Sequence, residues 1–127
     1  MNLKESKVMV DSSIWVEIIR GTKKGEKAVD FLVPLDTITT TISIAEVERV
    51  LLRGGEGEKI VRLDRIIGSS AVSITSDIAK RAARLSIEKS LGLADALIAA
   101  ASELNDCLLY TADRDFVGKE LKVKLLE

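Results

Sequence analysis

The sequence predicts an α/β fold in which a parallel β-sheet is flanked by helices on both faces, giving three layers. Three observations support this prediction. Short runs of apolar and β-branched residues alternate with longer stretches in which apolar residues recur every three or four positions. The first apolar run, residues 8–10, has no polar position, which is typical of a parallel strand buried on both faces. The hydrophobic fraction of 46% is largely aliphatic, which suits helices packed on a sheet.

The N-terminal elements follow from local patterns. Residues 8–10 are predicted to form a strand, followed by a helix over residues 14–20. Gly21 and Gly25 are predicted to bracket a basic turn. Amphipathic spacing then predicts a second helix over residues 26–33, which the single proline of the chain ends.

The middle of the chain changes from strand to helix spacing. Residues 37–42 are rich in β-branched types and predict a second strand. Residues 43–52 have helical spacing, and Gly54 and Gly55 are predicted to end that helix. A further helix is predicted over residues 58–67.

The C-terminal half continues the alternation. A short strand is predicted over residues 71–74, and Ser76 is predicted to cap the helix that follows. Another helix is predicted over residues 93–104. Residues 108–110 predict a buried strand, and alternating apolar residues predict a final strand over 121–125.

Composition limits the chemistry and the cellular setting. The chain has 127 residues, enough for one hydrophobic core, and we expect a single domain over residues 1–127. No segment has the length and apolarity of a secretory signal or a membrane span, so we expect a cytoplasmic protein. The absence of histidine excludes histidine-based acid–base catalysis and histidine-ligated zinc. Cys107 is interpreted as a buried structural thiol. The net charge of −1 gives no global attraction to nucleic acid.

Four acidic residues stand where predicted strands end or helices begin: Asp11, Glu46, Asp95 and Asp113. Each has an ordinary explanation. Asp11 can start a helix, and Glu46 lies three residues after Ser43, which is the spacing of a capping box. Asp95 would be favoured by the helix dipole, and Asp113 can be a turn residue.

Taken together, the four acids predict a metal site. In doubly wound folds the carboxyl ends of the strands form one edge of the sheet, where ligands bind. Clustered carboxylates repel one another unless a cation neutralises them, and oxygen ligands favour Mg²⁺ or Mn²⁺. Such a site can hydrolyse phosphodiesters. We expect Asp11, Glu46 and Asp95 to be metal ligands, directly or through water. Asp113 would complete the ring or orient the attacking water, with Asp115 in reserve.

Other residues give weaker signals. Ser12 and Thr111 carry hydroxyls beside the acids, where they can orient a carboxylate or simply cap a turn. Trp15 can stack on a base or lie in the core or a dimer interface. Two basic groups can contact RNA phosphates or be solvated helix faces. Their members are Arg49 and Arg53 in one group, and Arg20, Lys23, Lys24 and Lys27 in the other. The cluster of Gly54, Gly55 and Gly57 lacks the features of a phosphate loop and is interpreted as a turn.

Four segments, each holding one of the acids, occur in the order VMVDSSIWVEI, SIAEVERVL, LGLADALIAAAS and LLYTADRDF. In this order and at these spacings they resemble PIN-domain nucleases, and within them the VapC-type toxins of toxin–antitoxin pairs. The resemblance spans nearly the whole chain and places the family's four acids on Asp11, Glu46, Asp95 and Asp113. It implies Mg²⁺- or Mn²⁺-dependent RNA cleavage, a homodimer, and inhibition by a cognate antitoxin whose tail enters the acidic pocket. One departure is the segment ERVLLRGG, where a glycine is displaced and a longer helix is expected.

Other functions were compared with this one. A haloacid-dehalogenase-type phosphatase needs a second aspartate where Ser13 stands, and a receiver domain needs an aspartate where Thr75 and Ser76 follow the middle strand. Two alternatives remain open at this point. One is a PIN-fold RNA-processing nuclease without an antitoxin. The other is a non-catalytic RNA- or protein-binding module with the same fold.

Overall fold

The computed structural model describes residues 7–127 and confirms the α/β fold. Its strands are β1 (Lys7–Val10), β2 (Asp36–Thr40), β3 (Ala71–Val72), β4 (Cys107–Thr111) and β5 (Val123–Leu125). Its helices are α1 (Ser12–Arg20), α2 (Lys23–Leu32), α3 (Thr41–Arg53), α4 (Ile60–Ile67), α5 (Ser76–Glu88) and α6 (Leu93–Leu104). Short 3₁₀ turns cover Gly57–Lys59 and Arg114–Phe116. None of the helices in this part of the chain is long and apolar enough to cross a membrane.

The strands form one parallel sheet in the order β3-β2-β1-β4-β5. The chain moves outward from β1 to β3 on one side, then returns and moves outward from β4 to β5 on the other. The direction therefore reverses between β1 and β4, which are paired with Val10 opposite Tyr110. In sheets of this kind the crevice beyond the carboxyl ends of such a strand pair is the ligand-binding position. The residues that follow Val10 and Tyr110 lie side by side there.

Apolar residues cover both faces of the sheet, because side chains alternate along a strand. Val8 and Val10 of β1 pack in a core cluster with Trp15 and other residues of the first four helices. Met9, between them, packs in a second cluster with residues of α5 and α6. The sheet is thus the middle of three layers, as predicted.

The basic turn predicted between Gly21 and Gly25 is wrong in part. Gly21 does end α1, with a left-handed φ of 67°. Helix α2, however, begins at Lys23 and contains Gly25, whose N–H is accepted by the hydroxyl of Thr22 at 3.0 Å. Gly25 packs so closely on α1 that a Cβ would lie 2.1 Å from the carbonyl oxygen of Glu17. Glycine serves here for close helix packing and not for a turn.

The predicted caps and strand ends also shift. The strand predicted over residues 37–42 ends at Thr40, whose hydroxyl accepts the N–H of Ser43 at 3.0 Å and caps α3. Likewise Thr75, not Ser76, caps α5 by accepting the N–H of Ile78 at 3.2 Å. In each case the hydroxyl that caps belongs to the residue with extended backbone just before the helix. Strand β3 is two residues long, shorter than the predicted 71–74.

Candidate active site

Asp11 follows β1 and is 3% exposed. It occupies the N-cap position of α1, yet its side chain caps no backbone N–H. Instead its Oδ2 accepts hydrogen bonds from the hydroxyls of Ser13, at 2.8 Å, and Thr111, at 2.7 Å. Asp11 therefore does start the helix, as its ordinary explanation holds, but its carboxylate makes no capping hydrogen bond. Two hydroxyls hold the carboxylate in one orientation.

The same two hydroxyls join the end of β1 to the end of β4. Ser13 Oγ accepts the N–H of Ala112 at 2.9 Å, and Thr111 Oγ1 accepts the N–H of Asp113 at 3.0 Å. Each hydroxyl has one proton, and in this network both protons go to Oδ2 of Asp11. The position of Asp11 is thus tied to the turn that carries Asp113. Sequence reasoning missed Ser13, whose bond with Ala112 joins residues 99 positions apart.

Asp113 starts the 3₁₀ turn after β4. Its Oδ1 accepts the N–H of Asp115 at 2.9 Å, so its ordinary explanation as a turn residue holds. The turn also places two carboxylates beside Asp95. Carboxylate oxygens of Asp95, Asp113 and Asp115 all lie within 4.8 Å of one another. Asp115, expected only in reserve, belongs to this closest group.

Asp95 lies in the first turn of α6 and is partly buried. Its pKa is raised from 3.8 to about 6, mainly by burial and then by the negative charges of four other carboxylates. Those charges belong, in decreasing order of effect, to Asp113, Asp11, Glu46 and Asp115. Burial and the charges of the whole acidic cluster therefore both disfavour the ionised form of Asp95.

Glu46 lies in the second turn of α3, and Thr40 provides the cap of that helix. The predicted capping box with Ser43 is therefore wrong. Burial raises the pKa of Glu46, as do the charges of Asp11 and Asp113, while the hydroxyl of Ser12 opposes the shift. Its Oε1 is buried and has no hydrogen-bond partner among the described residues. A buried polar atom without a partner is costly in a protein interior.

These residues fit a hard divalent cation. The donors are carboxylate oxygens, with no histidine in the chain and the single cysteine elsewhere in the fold. A cation among them would neutralise the repulsion that raises the pKa of Asp95 and give Glu46 Oε1 a partner, directly or through water. Asp95, Asp113 and Asp115 are close enough to share one ion, and Asp11 and Glu46 add charge beside them. Such a site can bind phosphate oxygens and activate water.

The structure also places the weaker candidates. Trp15 is 4% exposed, and its indole N–H donates to Thr39 Oγ1 at 3.1 Å, so Trp15 belongs to the core. Arg20 is ion-paired with Glu56 at 2.7 Å. Lys27 donates to the carbonyl oxygen of Glu127 at 2.9 Å.

The other outcomes concern Cys107 and the glycine cluster. Cys107 is 2% exposed, and burial raises the pKa of its thiol to about 11. The glycine cluster follows a helix, not a strand: Gly54 and Gly55 lie in the turn after α3, and Gly57 begins the 3₁₀ segment. Both interpretations from the sequence agree with this geometry.

Comparisons with known proteins agree with the fold. The sequence model of the family described as PIN domain matches residues 8–120. None of the curated protein sequences compared with the chain matches it.

Solved structures give further likenesses. One chain of a toxin–antitoxin complex from Klebsiella pneumoniae superposes with a TM-score of 0.81 and 24% identity, over 94% of this chain and 98% of that one. VapBC2 from Rickettsia felis, bound to promoter DNA, has a TM-score of 0.76 and 17% identity, over 95% and 99%. VapC20 from Mycobacterium tuberculosis, described as a toxin that cleaves the sarcin–ricin loop, has a TM-score of 0.75 and 17% identity, over 90% and 95%. At these identities the likeness establishes the shared fold.

The family match spans most of the chain and includes all four segments that carry the acids. The strand order brings the ends of β1 and β4 together, and the acids of α3 and α6 join them there. The chain belongs to the PIN domain family, the nucleases that its acidic segments resemble.

Proposed function

We propose that the protein is a metal-dependent endoribonuclease that hydrolyses RNA phosphodiester bonds with Mg²⁺ or Mn²⁺. The observation that carries the proposal is the buried Oε1 of Glu46, which has no partner among the described residues, in a side chain whose pKa is also raised by the charges of Asp11 and Asp113. A buried carboxylate oxygen without a partner destabilises the folded protein, and a bound cation would remove much of that cost by pairing with the carboxylates. Membership of the PIN domain family supports the same reaction.

Asp95, Asp113 and Asp115 would hold the ion, with Asp11 contributing its Oδ1. Oδ2 of Asp11 already accepts two hydrogen bonds, which leaves Oδ1 for this purpose. When bound, the cation would polarise a phosphate oxygen, lower the pKa of a water and stabilise the leaving oxygen. Glu46 would accept a hydrogen bond from the attacking water at Oε1, and its raised pKa suits it to receive that proton.

The hydroxyls of Ser13 and Thr111 would keep the ligands in place. They connect Asp11 to the turn that carries Asp113, so the two strand ends move as one unit. Such supporting hydrogen bonds orient metal ligands and tune their affinity for the ion. Ser12, beside Glu46, would orient that carboxylate.

We further propose that the protein is the toxin of a VapBC-type toxin–antitoxin pair, acting as a homodimer and inhibited by a cognate antitoxin. Support comes from the resemblance of the four acidic segments to VapC-type toxins. It also comes from the shared fold with a chain of a Klebsiella pneumoniae toxin–antitoxin complex and with VapC20. Growth arrest on expression, relieved by co-expressing a small DNA-binding protein encoded next to the gene, would distinguish a toxin from an RNA-processing nuclease.

The nuclease proposal is tested by incubating the purified, antitoxin-free protein with a panel of RNAs, including a sarcin–ricin-loop hairpin, in Mg²⁺ or Mn²⁺. Asp95→Asn removes one carboxylate from the centre of the cluster. Asp77→Asn is the matched control, because Asp77 lies in the first turn of α5 and is exposed. We expect cleavage by the wild type and by Asp77→Asn, and none by Asp95→Asn or in a chelator. Equal cleavage by Asp95→Asn would indicate a contaminating nuclease. A folded wild type that cleaves no RNA would refute the proposal and favour a binding module.

A further inference from the structure

Helix α3 carries two arginines on the same side as the active-site glutamate. Glu46, Arg49 and Arg53 are separated by three and four residues, so they lie along one flank of the helix. The buried side of α3 is formed by other positions, Ser43, Val47 and Leu51. Both arginines are exposed. This flank of α3 therefore extends from Glu46, in the acidic cluster, to two exposed guanidinium groups.

Neither arginine has an ion-pair partner in the described part of the chain, 7–127. Arg49 is one turn from Glu46 yet forms no salt bridge with it, and Glu46 Oε1 is without a hydrogen-bond partner. By contrast, Arg20 is paired with Glu56 at 2.7 Å, and Arg81 with Glu103 at 3.1 Å.

Like charges four residues apart destabilise a helix slightly, and among the described residues no ion pair relieves the repulsion between Arg49 and Arg53. The other basic group predicted from the sequence is partly occupied, since Arg20 and Lys27 have protein partners. Within residues 7–127, the flank of α3 thus carries two positive charges without ion-pair partners, beside a cluster of carboxylates.

The negative charge of the acidic cluster explains why RNA binding would require positive side chains nearby. Five carboxylates converge there, and the whole chain has a net charge of −1, so RNA outside the metal site meets repulsion unless local cations offset it. At a rise of about 1.5 Å per residue, Arg49 lies about 4.5 Å and Arg53 about 10 Å along α3 from Glu46. Their guanidinium groups can each donate paired hydrogen bonds to a phosphate.

We propose that Arg49 and Arg53 bind phosphates of a single-stranded RNA segment that runs from the scissile bond along α3. This phosphate track rests on the proposed nuclease function and adds the direction of the substrate to it. Because the contacts are with phosphates, they contribute affinity and register without selecting a base sequence.

The test measures the salt dependence of RNA binding. A short fluorescently labelled single-stranded RNA is titrated by anisotropy between about 50 and 200 mM salt, the range over which phosphate contacts strongly affect affinity. All proteins carry Asp95→Asn so that the RNA stays intact. The variant Arg49→Gln/Arg53→Gln is compared with Arg62→Gln/Arg65→Gln, which removes two exposed arginines from α4.

Each phosphate contact on a single strand contributes about 0.7 to the slope of log affinity against log salt. We expect Arg49→Gln/Arg53→Gln to reduce the slope by about 1.4, which makes the loss of affinity over a fourfold salt increase about sevenfold smaller. Arg49→Lys/Arg53→Lys should keep most of the slope, and the control on α4 should keep all of it. An unchanged slope in the α3 variant, or an equal reduction in the control, would overturn the proposal.

The proposed function and the phosphate track can fail separately. If RNA binds with the expected slopes but the wild type cleaves nothing in Mg²⁺ or Mn²⁺, the nuclease proposal fails, and Arg49 and Arg53 remain phosphate contacts of a bound RNA that is not cut. If the wild type cleaves RNA and the variant Arg49→Gln/Arg53→Gln, with Asp95 intact, cleaves it with unchanged KM, the nuclease stands and the track fails.

Discussion

The substitution Asp95→Asn should stabilise the metal-free protein at neutral pH while removing its activity. The cause is the acidic cluster, which raises the pKa of Asp95 from 3.8 to about 6. At pH 7.5 the native protein must hold this carboxylate ionised in a place that disfavours charge. Asparagine has nearly the same shape without the charge, so the cost disappears.

The magnitude follows from the pKa shift. A difference of two pKa units corresponds to about 3 kcal/mol, at 1.36 kcal/mol per unit. Asp95 is only partly buried, and solvent screening reduces this figure to about 1.5 kcal/mol. For a domain of this size the melting temperature would rise by about 5 °C.

The sign of the pH dependence is defined by the direction of the shift. An acid whose pKa is higher in the folded state destabilises that state fully above its folded pKa, and the effect is lost as the pH falls towards the unfolded pKa. The advantage of Asp95→Asn should therefore be complete above pH 7, decrease as pH falls through about 6, and vanish near pH 4.

The assay is urea unfolding of wild type and variant in chelator at several pH values, followed by the same measurement with Mg²⁺. Mg²⁺ should stabilise the wild type, because an ion that binds only the folded state adds to its stability, and should stabilise the variant less. Asp77→Asn, in the first turn of α5, should lose a small amount of stability at pH 7.5, since a helix dipole favours that charge. A variant less stable than wild type at pH 7.5 in chelator would refute the reasoning.

Three further changes test the packing around the site and the core. Ser13→Ala removes a hydrogen bond to Asp11 and should lower the affinity for Mn²⁺ by about tenfold or more, measured by calorimetry, with partial rescue by Ser13→Thr; unchanged affinity would contradict the network. Gly25→Ala places a Cβ 2.1 Å from the carbonyl oxygen of Glu17 and should cost about 3 kcal/mol of unfolding free energy, whereas a neutral effect would show that α1 and α2 can separate without cost. Cys107, whose thiol pKa is about 11, should resist alkylation at pH 8 until urea unfolds the protein, and rapid labelling of the native state would contradict its burial.

The sequence predicted the layers and the acids through local patterns. A strand without polar positions and helices with regular apolar spacing indicated a sheet between helices. The structure confirms this, because Val8 and Val10 pack in one core cluster and Met9 packs in the other. The positions of Asp11 and Asp113 after strands then followed from the topology expected of such sheets. The order of the strands was not predicted, because a local pattern does not encode which strands become neighbours.

Local patterns also misjudged several details where two residues could satisfy the same rule. Ser43 and Thr40 are both able to cap α3, and the backbone conformation before the helix selects Thr40. Glycine is common in turns, but Gly25 lies within α2. The backbone of Glu17 comes so close to it that no side chain would fit there. Such choices depend on packing between elements, which a window of sequence does not contain.

By itself the sequence predicted the fold class and the acids Asp11, Glu46, Asp95 and Asp113, with Asp115 in reserve. The tertiary structure decided that Asp115 joins them and that Ser13 and Thr111 hold Asp11 from both strand ends. It also decided that Glu46 Oε1 is left without a hydrogen-bond partner among the described residues. The physical reason is distance along the chain. Residue types and spacings are local, whereas the hydrogen bonds and repulsions of the site join residues about a hundred positions apart, which only the folded sheet brings together.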